Sequence, residues 1–227
     1  MKDATDNYYQ KIKDDFLIED QSLLRYGSIE DGGYFLKPET IANSSLLFSG
    51  GISSNLEFEY DLFRFNDTLQ IIMVDPTVSG PKLILKGLAR FFFKKPDKIR
   101  YLFNALIFNF LIRQARCKHL KLWLNKPQKI LELAKDRLKP NDTILLKFDI
   151  EGGEYDFLDE ITSNLNRFSA LVFEFHDLHK HNKTVHEFIN SCQSQFDLVY
   201  LGINPSGGFD GENRPKCIEI TLERKVN

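Results

Sequence analysis

The feature that most constrains this chain is an alternation of short apolar runs with stretches of helical spacing, in which the apolar runs end on reactive side chains. Residues 46–48, Leu-Leu-Phe, stop at Ser49-Gly50-Gly51, and residues 70–74 stop at Asp75-Pro76. Residues 144–150 carry Asp149 and lead into Glu151-Gly152-Gly153, while residues 170–175 run into His176. Runs this short, rich in β-branched and aromatic residues and bounded by glycine or proline, read as buried strands. Proline after Asp75 cannot continue a ladder. Between the strands, residues 56–65 (LEFEYDLFRF) suit a helix, although their alternation also suits a strand. Tyr155, Leu158 and Ile161 recur at helical spacing, residues 128–138 read as a helix stopped by Pro140, and residues 185–195 read as another. Strands alternating with helices imply an α/β fold with a mostly parallel sheet, whose ligands bind outside the carboxyl ends of the strands. Residues 196–203 and 217–223, joined by a loop without a helix, are expected to pair as a terminal antiparallel hairpin.

At 227 residues and 42% hydrophobic content, one large domain with its own core is expected over 1–227. The net charge of -2 excludes a wholesale nucleic-acid binder but conceals an asymmetry. Residues 78–127 hold twelve Lys or Arg against one acid, Asp97, which makes that segment +11 and leaves the remainder at -13. This segment reads as a basic helical insertion, with one amphipathic helix through Leu83, Leu85, Leu88 and Phe92 and a second over residues 99–124. Cys117, Cys192 and Cys217 lie far apart without a CxxC pair, and the first fifteen residues are charged, so a reducing cytoplasmic setting is expected. The longest apolar stretch, residues 101–112, contains Asn104 and Asn109 and is too short to span a bilayer.

The strand ends suggest an adenosine site. A turn of small residues after the first strand lets a ligand approach the backbone, and an acid ending the second accepts hydrogen bonds from both ribose hydroxyls. The turn here is GGISSN, which departs from the GxGxxG dinucleotide pattern. Taken together, Asp31-Gly32-Gly33-Tyr34, the block LLFSGGISSNLEFEYDL, Asp75-Pro76-Thr77, KFDIEGGEYDFL, LVFEFHDLH and PKCIEITL resemble the FkbM-type family of class I S-adenosylmethionine-dependent methyltransferases, over about residues 26–222. The resemblance implies a Rossmann-like fold with a seven-stranded, mostly parallel sheet ending in an antiparallel hairpin. It also implies that Gly50, Gly51 and Ser53 face the cofactor, that Asp75 with Pro76 holds the ribose, and that Gly33 with Tyr34 closes over it. Ser53 stands where a glycine is commoner in the family.

Methyl transfer to a hydroxyl needs a group that takes the hydroxyl proton. Asp149, Glu174 and His176 are the candidates, with His176 preferred because an unperturbed imidazole titrates near pH 6.5. The same three groups suit a divalent cation, and a metal-dependent hydrolase is the corresponding rival. His179, His181 and His186 read as solvated loop residues, and Glu151 and Glu154 as local caps. For the basic segment three readings compete: an ordinary packed subdomain, a lid for an anionic acceptor such as a nucleotide-linked sugar, or an interfacial membrane contact through residues 82–113. A sugar hydroxyl in surface polysaccharide synthesis is the acceptor that the resemblance implies. The non-enzymatic rival is a membrane- or partner-binding module on a degenerate scaffold.

Overall fold

The structure, a computed structural model, describes residues 8–29, 32–92 and 98–225, except the side chains of residues 91, 92 and 98. Asp31 of the glycine turn and Phe93, Lys94 and Lys95 of the basic segment lie outside these residues.

In chain order the elements are α1 (Tyr8–Phe16), β1 (Leu24–Gly27), β2 (Gly33–Leu36), α2 (Pro38–Asn43), β3 (Leu46–Gly50), α3 (Glu57–Phe65), β4 (Gln70–Val74), α4 (Gly80–Phe92) and α5 (Lys98–Leu111). There follow β5 (Cys117–Leu120), α6 (Ile130–Ala134), β6 (Ile144–Phe148), α7 (Leu158–Ser163), β7 (Phe168–Phe175), α8 (Leu178–Cys192), β8 (Phe196–Ile203) and β9 (Ile218–Arg224). Seven strands form one sheet in the order β5-β4-β3-β6-β7-β9-β8. Only β9 runs antiparallel to its neighbours, slotted between β7 and β8. This is a Rossmann-like α/β architecture with a terminal antiparallel hairpin.

Side chains alternate across the sheet with period two. Leu46, Phe48, Leu146 and Phe173 face one apolar layer with α1, α6, α7 and α8, whereas Leu47, Leu145 and Val172 face a second layer with α2, α3, α4 and α5. Both faces of β3, β6 and β7 are therefore buried, which is why those strands read as continuous apolar runs. From β3 the chain winds one way through β4 and β5, and the other way through β6 and β7. The switch between β3 and β6 opens a crevice at their carboxyl ends.

Three departures from the sequence reading bear on function. The helix expected over residues 99–124 stops at Leu111, and Cys117–Leu120 pairs with β4 as the edge strand. Only Cys117 of that strand is buried, so it lacked the apolar signature of its neighbours. The basic insertion at 78–127 consequently includes part of the sheet, and its helices are the crossover from β4 to β5. Second, the charged leader contains α1, which buries Ile12 and Phe16. Third, His179, His181 and His186 lie on α8 rather than in a loop; His181 stacks on Tyr155 with ring centroids 4.1 Å apart, and His186 pairs with Asp15 at 2.7 Å. Among the described residues no helix is long and apolar enough to cross a membrane.

Candidate active site

Two cavities meet where β3, β4, β6 and β7 end. The larger, about 460 Å3, is lined by Asp75, Pro76, Trp123, Glu174, His176 and Asn204 among others. The smaller, about 150 Å3, is lined by residues including Tyr34, Asn55, Glu59, Arg100 and Lys147. Gly51, Ser53 and Asp149 line both.

The β3 turn is shaped by two unusual backbones. Gly51 has φ +75°, and a Cβ there would stand 1.6 Å from the Asp149 carbonyl oxygen, so both conformation and space require glycine. Ser53 also sits in the left-handed region, with φ +45°, which explains why glycine is the easier residue at that position. Its N–H donates to Asp75 Oδ2 at 2.8 Å, while Asp75 Oδ1 accepts from the Thr77 N–H and hydroxyl, both at 2.6 Å. A carboxylate offers about four lone-pair sites. Three are taken, so in this conformation Asp75 has room for one ribose hydroxyl rather than the two expected.

Gly50 and Gly33 do not line either cavity. The Gly50 carbonyl accepts from the Asp149 N–H at 3.1 Å, and a Cβ on Gly50 would strike Leu124 and Phe148. Gly33 pairs with Gly27 in the β1–β2 hairpin, where a Cβ would stand 1.9 Å from the Ser28 carbonyl oxygen. Both glycines are required by packing, not by direct approach to a ligand. Tyr34, by contrast, reaches the smaller cavity, and its hydroxyl donates to Asp149 Oδ2 at 3.2 Å.

Asp149 is the junction of the site. Burial and the nearby Glu174 raise its carboxyl above the ordinary range, against the opposing pull of Lys147 and His176. Lys147 Nζ lies 3.6 Å from Asp149 Oδ2, donates to the Gly51 carbonyl at 2.6 Å, and stands 5.4 Å above the Tyr34 ring. Lys147 was not singled out from the sequence. The signal was present: a lysine in the middle of the buried strand ILLKF must be held by specific partners.

His176 departs most from expectation. Its Nδ1 lies 2.9 Å from Glu154 Oε1, and its Nε2 lies 3.4 Å from Glu174 Oε1 and 3.9 Å from Asp149 Oδ1. Burial alone would favour the neutral ring, but the hydrogen bonds and charges of Glu154 and Glu174 outweigh it and push the pKa up to about 11. At neutral pH His176 is thus an imidazolium clamped between carboxylates, not a free base titrating near 6.5. The clamp comes from the glycine turn: Glu154 is fully buried and also accepts the Ile150 N–H, while the Tyr155 hydroxyl holds the His176 carbonyl at 2.5 Å. Glu154 therefore caps the turn, as expected, and in addition anchors the imidazole.

Among the described residues, the group with spacing suited to a metal ion is Glu174, His176 and Cys217, with ligand atoms within 4.8 Å of one another. Asp149 is absent from that set, contrary to the trio expected. The Cys217 thiol donates to Glu174 at 3.2 Å, and burial and Glu174 push its pKa upward, which keeps it a thiol. A protonated thiol and a carboxylate-clamped imidazolium fit a cation poorly.

Residues 115–196 match the methyltransferase FkbM domain. Over that segment the chain is similar to FkbM-type methyltransferases. The match begins beside β5 and spans β6, β7 and α8, and so includes Asp149, Glu174 and His176. No curated protein matches this sequence. Solved structures similar to it include the precorrin-6y C5,15-methyltransferase of Geobacter metallireducens GS-15, at 12% identity over 94% of this chain and 96% of that one, with a TM-score of 0.43. A fibrillarin/Nop5p complex matches at 12% identity over 88% and 91%, with a TM-score of 0.42. The FkbM methyltransferase of Methylobacillus flagellatus KT matches at 13% identity over 78% of this chain and 44% of that one, with a TM-score of 0.39.

The similarity to FkbM-type methyltransferases implies S-adenosylmethionine as the cofactor, and the residues of the larger cavity fit it. The larger cavity lies within the roughly 300–1,000 Å3 of small-molecule pockets. Gly51 lines the cavity without a side chain, Asp75 keeps an unused lone pair, and the apolar walls Pro76, Leu122, Trp123 and Ile150 suit a flat base.

Proposed function

We propose that the chain is an S-adenosylmethionine-dependent O-methyltransferase acting on a hydroxyl of a sugar or nucleotide-linked sugar, of the kind used in surface polysaccharide synthesis. The cofactor, when bound, supplies an electrophilic methyl group on a sulfonium. Gly51 and Ser53 form the backbone cradle beside it, Asp75 with Pro76 holds the ribose, and Tyr34 and Lys147 fix the Asp149 carboxylate. The observation that carries the reading is Asp149 itself, which lines both cavities at the switch point and turns Oδ1 toward His176.

In this reading Asp149, not His176, takes the hydroxyl proton as the acceptor oxygen attacks. A carboxyl raised by burial is, once ionised, a stronger base than one in water. Protonated His176 supplies positive charge beside Asp149, and Glu174, held by Asn204 at 2.9 Å, keeps the imidazole in place. The hydrogen-bonding wall of Glu174, His176, Asn204 and Ser206 supports a polyhydroxyl acceptor.

The test is a screen of nucleotide sugars for a gain of one methyl group by mass spectrometry, with S-adenosylmethionine as donor. Donor-dependent methylation of a hydroxyl, unaffected by EDTA, supports the proposal. Methylation of nitrogen only would reassign the acceptor. Metal-dependent turnover without donor would favour the hydrolase.

A further inference from the structure

The outer face of the β4–β5 crossover is inverted relative to an ordinary surface helix. On α5 the exposed positions Ile99, Phe103, Leu106 and Phe110 recur every three or four residues, and their exposures are 70%, 48%, 70% and 43%. The polar Asn104 is instead buried, where it accepts the Leu56 N–H at 2.6 Å. A stripe at this spacing is one continuous apolar face, and a helix apolar all round is normally enclosed. The neighbouring α4 divides its exposed surface, with Ile84, Leu85 and Leu88 in one sector and Lys82 and Lys86 in another. The two helices are held close by Gly87, where a Cβ would lie 2.8 Å from the Leu102 side chain, and by Arg90 stacked 4.5 Å above the Tyr101 ring.

The charges of the segment fall into two groups. Arg100 pairs with Glu57 at 3.1 Å, and Arg116 donates to the carbonyls of Phe63, Asn66 and Leu69, so these basic residues serve the fold. Lys82, Lys86 and Arg113 have no acidic partner among the described residues. They surround the apolar face with positive charge in a protein whose remaining sequence is acidic.

We infer that the α4–α5 hairpin docks on an anionic phospholipid surface, with Ile99, Phe103, Leu106 and Phe110 entering the interface and Lys82, Lys86 and Arg113 meeting the headgroups. Apolar side chains on one face and lysines beside them are the two contributions that interfacial helices combine. A second copy of the chain is the less favoured occupant, because pairing two such faces sets like charges against each other. The inner side of α5 supplies Arg100 and Tyr101 to the smaller cavity, so docking brings the site to headgroup level. The inference does not depend on which acceptor is methylated.

Flotation of the full chain with phosphatidylcholine vesicles, with and without phosphatidylglycerol, tests it. Binding is expected only with phosphatidylglycerol and weakens as salt rises. Lys82→Glu/Lys86→Glu and, separately, Phe103→Ser/Leu106→Ser should each lower binding on the order of tenfold or more, with unchanged thermal midpoints showing that both variants fold. Absence of binding to anionic vesicles overturns the inference, as does equal binding to neutral ones. So does a dimer that Phe103→Ser/Leu106→Ser converts to monomer without any vesicle binding.

Discussion

The cleft and the β4–β5 crossover invert the usual partition of a globular protein in opposite directions. Around Asp149 the charged groups Lys147, Glu154 and Glu174 are buried, each at 6% exposure or less, whereas along α5 Ile99, Phe103, Leu106 and Phe110 face outward. Burying charge costs free energy unless every group is paired, and exposing apolar surface forgoes the stabilisation of burial. The cleft meets part of that cost locally, through a chain of contacts from Tyr34 to Asp149, Lys147 and the Gly51 carbonyl, while one oxygen each of Glu154 and Glu174 stays buried without a hydrogen bond among the described residues. Among the described residues nothing covers the exposed apolar face of the hairpin. The difference teaches that one region turns its charges inward around a cavity, while the other turns apolar side chains outward, as the proposed docking requires.

That contrast can be broken most severely in the cleft. Asp149→Asn should lower turnover by about 10²–10⁴-fold, the range for loss of a general base, with a smaller change in cofactor affinity. Equal turnover would remove Asp149 as the base. The pH profile sharpens the same assignment: activity should rise with pH through the raised Asp149 carboxyl and then stay level, because His176, pushed up to about 11, does not lose its proton in the neutral range. An inflection near pH 6.5 in wild type that disappears in His176→Gln would restore the neutral imidazole.

Next in size is the backbone. Gly51→Ala places a Cβ against the Asp149 carbonyl at φ +75°, whereas Gly152→Ala, at φ +95°, meets nothing within 4 Å. Gly152→Ala should cost about 1–2 kcal/mol from conformation alone, and Gly51→Ala more; thermal melts of the two variants measure the gap.

A buried carboxylate away from the cleft gives a smaller effect. Glu223 accepts the Lys37 N–H at 2.9 Å and the Thr40 hydroxyl, yet burial raises its pKa to about 7 against the lowering effect of those hydrogen bonds. A carboxyl whose folded pKa lies above its unfolded value of 4.5 stabilises the fold at low pH, and that contribution falls as pH rises from about 4.5 to about 7. Glu223→Gln should therefore gain about 1–2 kcal/mol at pH 8 relative to wild type and gain nothing at pH 4. Denaturant titration at the two pH values checks the sign. The smallest effect belongs to the hairpin. Leu106→Ser should change stability by no more than about 0.5 kcal/mol, against roughly 2–5 kcal/mol for Leu146→Ala in the core.

The sequence made the sheet legible where strands are buried on both faces, because β3, β4, β6 and β7 appear as apolar runs bounded by glycine, proline or acid. It concealed β5, whose residues after Cys117 are half-exposed, and α1, whose two buried residues are diluted by lysines and acids. The strand-end rule correctly gathered Asp75, Asp149, Glu174 and His176 to one cleft. It did not reveal what each does there. The protonation of His176 depends on Glu154, which lies 22 positions away and comes into contact only when the glycine turn folds under β7. Residue type alone supplied an imidazole titrating near neutrality; two carboxylates within hydrogen-bonding reach reversed that expectation. Gly33 and Gly50 show the complementary error, since their glycine requirement comes from neighbouring packing and was read as ligand approach.

The central claim is that the crevice between β3 and β6 holds the adenosine of the methyl donor. Calorimetric titration of the intact chain with S-adenosylhomocysteine tests it most directly, and the emission of Trp123, the chain's one tryptophan and a wall of the larger cavity, should shift in the same titration. Wild type should bind at a single site, and Asp75→Ala should bind on the order of tenfold or more weaker, as loss of a charged hydrogen bond predicts. No binding by the folded protein, or equal binding by Asp75→Ala, would contradict the account.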